Sequence, residues 1–128
     1  MNEERTVYEI DLAYLERDWL EQAKTVFAEG MKLAEARQAL NEAKSTLEIV
    51  EAEQDMDVRL HPSKHGLDVL EKKPTETMVK NAVRLTKAYQ TADETVIRAQ
   101  HDVDCCNASV TALEHKKRAM ESLVQLQA

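Results

Sequence analysis

Along the first half of the chain, positions in steps of alternating three and four carry Leu12, Leu15, Trp19, Gln22, Val26, Glu29, Leu33, Ala36, Leu40, Ala43, Leu47 and Val50. Only Gln22 and Glu29 are polar, so the series reads as a heptad seam on one face of a helix. The next two seam positions, Gln54 and Asp57, are polar and the pattern fades towards Arg59. Asp11 is placed to cap the start. Gly30 falls inside the run, where glycine costs about 1 kcal/mol against alanine. The seam nevertheless keeps its phase on both sides of Gly30, which an intervening turn would not preserve. The spacing predicts one helix over 11–59, with Gly30 the place for a bend.

A second seam runs Tyr89, Ala92, Val96, Ala99, Val103, Cys106, Val110, Leu113, Lys117, Met120 and Val124, with Lys117 its one charged member. It predicts a helix over 86–126. Between the seams lie His61-Pro62-Ser63-Lys64-His65-Gly66 and Lys72-Lys73-Pro74-Thr75. Pro62 and Gly66 stop the first helix, and Pro74 forbids helical continuity from before it. Thr75 is placed to cap a short helix whose apolar face is Met78, Val79, Ala82 and Val83. The fold class that follows is all-α: two long helices pairing antiparallel as a hairpin, joined by a connector over 60–85. At 1.5 Å per residue the predicted arms span about 73 and 61 Å. If they pair from the connector end, the first turns overhang, exposing Leu12, Leu15 and Trp19. A homo-oligomer would cover those residues, and would give neighbours to Ile49 and Ile97, which lie off both seams.

Composition supports helix and little else. The 128 residues include two glycines, two prolines and 4% aromatics, leaving little scope for a many-stranded sheet. The length fits one domain. No run of about 18 apolar residues is present. Met1 to Glu9 are mixed and charged, without an apolar core behind a basic start, which predicts a cytoplasmic protein. Cys105 and Cys106 are adjacent and point about 100° apart on a helix, so a disulfide between them would be strained; Cys106 reads as a small core hydrophobe and Cys105 as a bystander. His61 and His65 are four apart but lie in a loop, with no further ligand near in sequence, so no metal is expected. The carboxylates follow helix surfaces, and no phosphate loop, nucleophile motif or paired-acid constellation occurs. An enzyme and a small-molecule cofactor are therefore not expected.

Charge is unevenly distributed. Residues 1–58 carry 15 acids and 6 bases, a net of −9; residues 59–87 carry 3 acids and 7 bases, a net of +4; residues 88–128 carry 6 acids and 4 bases, a net of −2. An acidic chain with a basic middle has a specific place for a polyanion to dock. The candidates are Arg59, Lys64, Lys72, Lys73, Lys80, Arg84 and Lys87. Lys80, Arg84 and Lys87 share a helical face if the short helix extends to 87. A second basic group, His115 with Lys116, Lys117 and Arg118, stands on the last helix. None of the five aromatics lies between 59 and 87, so base stacking has no platform there. Any nucleic-acid contact would go to phosphates and be indifferent to sequence.

The stretch Ile49-Val50-Glu51-Ala52-Glu53, continuing through Val58-Arg59 to Pro62, Lys64 and Gly66-Leu67, resembles a block of the phage UvsY-like recombination mediators. So do Lys73-Pro74-Thr75-Glu76 with Val79-Lys80, the later Tyr89-Gln90, and Ala112-Leu113-Glu114-His115-Lys116-Lys117 followed by Ala119-Met120-Glu121 and Leu123-Val124. The likeness covers about residues 45–126 and is a diffuse helical signature. It implies an oligomeric helper that binds single-stranded DNA and loads a RecA-type recombinase onto strands covered by single-strand-binding protein. The family's basic positions match Arg59, Lys64, Lys73, Lys80 and Lys116 to Arg118. A coiled-coil scaffold or assembly adaptor with no nucleic-acid contact is the alternative.

Overall fold

The computed structural model describes the backbone of residues 2–67 and 73–127 and the side chains of 13–67 and 73–126. Three α-helices and one 3-10 turn make up the described residues: α1 (Asn2–Leu60), a 3-10 helix (Pro62–His65), α2 (Glu76–Leu85) and α3 (Lys87–Gln127). No strand occurs among them. The two long helices form the arms of an antiparallel hairpin, as the seams predict. No helix among the described residues is long and apolar enough to cross a membrane.

Two compact units divide the chain, one formed by 1–35 with 103–128 and the other by 36–102. In each, a stretch of α1 packs on a stretch of α3 through the predicted seam. The first unit buries Gln22, Leu33, Val103 and Met120; the second buries Leu40, Ala43, Ala92 and Ala99. Alanines at these positions allow the helices close approach. The second unit has a further cluster where α2 docks: Val58 and Val79 are sealed from solvent, Ala82 and Val83 are buried beside them, and Leu67 and Tyr89 pack on the outside.

Two details differ from the sequence expectations: where α1 starts, and what its first seam residues face. Helix α1 begins at Asn2, so Asp11 lies within it and does not cap it. As the unbroken seam predicts, Gly30 does not interrupt α1. Leu15 and Trp19 do not overhang the partner arm: with Val124 of α3 they line a shallow cavity of about 230 Å³. The side chain of Leu12 and the whole of Lys72 lie outside the described residues. Gln22, a polar interruption of the seam, is buried because its amide Nε2 donates to the carbonyl of Leu113 at 3.1 Å.

Candidate nucleic-acid interface

Local chemistry fixes each piece of the connector. His61 N–H still donates to Asp57 O, after which Pro62 opens the 3-10 turn. Gly66 closes that turn at φ +75°, a left-handed conformation that favours glycine. Leu67 N–H then returns to Pro62 O at 3.0 Å, delivering the Leu67 side chain to the cluster around Val58. Thr75 caps α2, its hydroxyl accepting from Met78 N–H at 3.2 Å. Thr86 has extended backbone and separates α2 from α3. Its hydroxyl donates to Val83 O at 2.6 Å and accepts from Tyr89 N–H at 3.3 Å, so one residue ends one helix and starts the next.

That break corrects one expectation. Lys87 is the first residue of α3, beyond the Thr86 kink, and does not continue the α2 face that carries Lys80 and Arg84. The latter two are exposed and sit a turn apart on α2. With Val83 of α2 and Glu51 and Asp55 of α1 they line a polar groove of about 130 Å³. Lys73 and Lys87 are exposed at the ends of the connector. Lys73, Lys80, Arg84 and Lys87 make no ion pair among the described residues.

Arg59 and Lys64 are engaged by carboxylates. The Arg59 guanidinium donates through Nη2 to Glu76 at 2.7 Å and through Nε to Asp55 at 2.5 Å. Glu76 and Asp55 hold it more firmly charged than a solvated arginine, and Arg59 in turn holds the Glu76 carboxyl below its ordinary range. Lys64 Nζ reaches Asp57 at 3.3 Å, and His65 Nε2 lies 2.7 Å from the same carboxylate. The hydrogen bond with His65 is the main reason the Asp57 carboxyl is held below its usual range, with Lys64 adding to it against a desolvation cost. Residue types along the chain gave no sign of these pairs. In the sequence Asp57 is only a polar end to the seam, and Glu76 lies 17 positions from Arg59.

The second basic group is separate. In the unit of 1–35 and 103–128, Lys116, Lys117 and Arg118 are all exposed on α3. Lys117 keeps its seam position by standing at the edge of a groove of about 290 Å³ that it lines with Trp19, Gln22, Ala23, Val26 and Glu121. A lysine suits such an edge, because its apolar stem can lie against the groove while its charge stays in water. Comparison with known protein families, curated proteins and solved structures gives no match to this chain.

Proposed function

We propose that the connector binds the phosphates of single-stranded DNA, and that the protein acts as a recombination mediator of the kind its sequence resembles. In that role it helps load a RecA-type recombinase onto strands covered by single-strand-binding protein, and works as a homo-oligomer. The observation that supports this reading best is the pair Lys80 and Arg84. Both are exposed and lie outside the ion pairs, on a short helix fixed by the buried Val79, Ala82 and Val83. Fixed cations with no aromatic platform suit contact with phosphates rather than bases.

Three to four phosphates neutralised per chain correspond to a slope of log affinity against log salt of about −2 to −3, at about 0.7 per phosphate on a single strand. Several connectors on one assembly raise the effective concentration and hence the affinity. The test is fluorescence anisotropy with labelled single-stranded oligonucleotides of different sequence across a salt series. Lys80→Gln with Arg84→Gln is expected to flatten the slope by about 1.4 units and to weaken all sequences alike. An unchanged slope and affinity would exclude the connector as the site and leave Lys116 to Arg118 as the next candidates.

A second reading is favoured by a specific observation: Arg59 and Lys64, two of the matched basic positions, are already engaged by Asp55, Glu76 and Asp57. Under this reading the ion pairs serve only to fasten the connector, and the chain is a coiled-coil adaptor. It predicts no salt-dependent binding to single-stranded DNA at any concentration that keeps the protein soluble.

A further inference from the structure

The unit of residues 1–35 and 103–128 carries a second apolar stripe that its own helices do not cover. Leu20, Ala23, Phe27, Gly30 and Ala34 repeat in alternating steps of three and four, each one residue after a seam position. They therefore form a stripe about 100° round α1 from the face that meets α3. Leu20 and Phe27 are 64% and 72% exposed, and Met31 on the stripe's outer edge is 49% exposed. Ala23 joins this stripe to the groove beside Trp19. Gly30 has no internal purpose here. It is helical without positive φ, and a Cβ added to it would meet nothing within 4 Å. A glycine penalised in a helix interior and required by neither turn nor neighbour is explained by an approach from outside.

We propose that this stripe pairs with the same stripe of a second copy, with the two α1 helices antiparallel. Size decides both the occupant and the direction. Large side chains, Leu20 and Phe27, alternate with small ones, Ala23 and Gly30. Leu20 and Gly30 are equidistant from the level of Thr25, and so are Ala23 and Phe27. A single two-fold axis at that level sets Leu20 of each copy over Gly30 of the other and Phe27 over Ala23, so each bulky residue fills a vacancy. Parallel pairing would stack Phe27 on Phe27 and Gly30 on Gly30, crowding one layer and emptying the next. The exposed parts of Leu20, Phe27 and Met31 amount to roughly 300–400 Å² per copy. The pair thus buries less than the roughly 1,200 Å² of a standard stable interface, and is a weak, concentration-dependent dimer. This inference uses no residue of the connector and stands independently of the DNA-binding reading.

Sedimentation equilibrium of the full chain, from micromolar to several hundred micromolar, is the test. The wild-type chain is expected to shift from monomer towards larger species across that range. Phe27→Glu and Gly30→Leu are each expected to weaken association at least tenfold. Gly30→Leu separates loss of pairing from loss of folding, because leucine raises helix propensity, and circular dichroism should show its helix content maintained or increased. Orientation is read by mixing a Leu20→Cys chain with a Gly30→Cys chain, each with Cys105→Ser and Cys106→Ser, and adding a short thiol cross-linker. The mixed dimer is expected to form ahead of either homodimer. A wild-type chain that stays monomeric throughout, leaving the face to a different protein, would overturn the proposal. So would association that survives both substitutions, or cross-linking of Leu20→Cys chains preferentially to themselves.

Discussion

Truncating Val79 to alanine tests whether α2 is held in place by its few buried side chains. A ten-residue helix is too short to persist alone in water, so its position depends on packing. Val79 is 1% exposed and lies in the cluster with Val58, Ala82 and Val83. Removing two carbons of fully buried side chain forfeits about 1.6 kcal/mol of transfer free energy, at about 0.8 per methylene. The cavity left behind adds about 24 cal/mol for each Å³ that does not collapse. The expected cost is therefore about 2–3 kcal/mol. Because α2 is a separate short element, part of that loss should be local. Amide exchange in α2 is expected to accelerate by about 30-fold for each 2 kcal/mol, alongside a lower urea midpoint by circular dichroism. Met78→Ala, at a 40% exposed position on the same helix, is the control and should cost under about 0.5 kcal/mol. If Val79→Ala costs no more than Met78→Ala and leaves α2 exchange unchanged, the cluster does not anchor the helix, and the fixed geometry assigned to Lys80 and Arg84 loses its basis.

Three further outcomes follow from single contacts. Gly66→Ala should destabilise the chain by about 1 kcal/mol in urea denaturation, the backbone cost of φ +75° alone, since a Cβ there meets nothing within 4 Å. Gln22→Leu should raise stability by about 1 kcal/mol: the Leu113 carbonyl keeps a helical partner, and apolar volume replaces a buried amide whose value lies in fixing the seam's register. Asp57 and Glu76 are both held below their ordinary range, so the unfolded chain takes up protons first as pH falls. The stability they supply is complete above about pH 5 and is lost through about pH 4 and below. Thermal unfolding followed by pH should show a decline that is shallower in Asp57→Asn with Glu76→Gln.

Much of the fold was legible because one rule governs most of it. A heptad seam states which residues face inward, and Leu33, Leu40, Ala43, Ala92, Ala99, Val103 and Met120 are seam positions buried in the structure. Even the polar Gln22 obeyed the phase. The start of α1 was not legible, since Asp11 favours a cap over a helix interior and yet the turns before it are also helical. Site geometry was legible only where it is local. That Lys80 and Arg84 share a turn follows from their spacing of four, whereas the loss of Lys87 from that face depends on Thr86 bonding both ways. The pairing of Arg59 with Glu76 was invisible, because it requires α2 to fold back beside the end of α1. No periodicity encodes that approach; the buried valines bring it about.

Those carboxylates also define what separates the two functional readings. A phosphate arriving at the connector meets Arg59 and Lys64 already satisfied by Glu76, Asp55 and Asp57, and gains from them only the difference between phosphate and carboxylate. Arg59, Lys64 and Glu76 are exposed and Asp55 and Asp57 half-buried, so the existing pairs are partly screened and exchanging them costs little. Lys80 and Arg84, lying outside the ion pairs, would then supply the attraction that brings the strand in. Arg59, whose planar guanidinium can grip a phosphate through two donors, would join by trading partners. The exchange frees Glu76 from Arg59 but leaves it in α2's first turn, where a carboxylate is favoured by the helix dipole, so α2 stays capped. An adaptor would keep the same pairs as fastenings, and its connector would then show no salt-dependent affinity for single-stranded DNA.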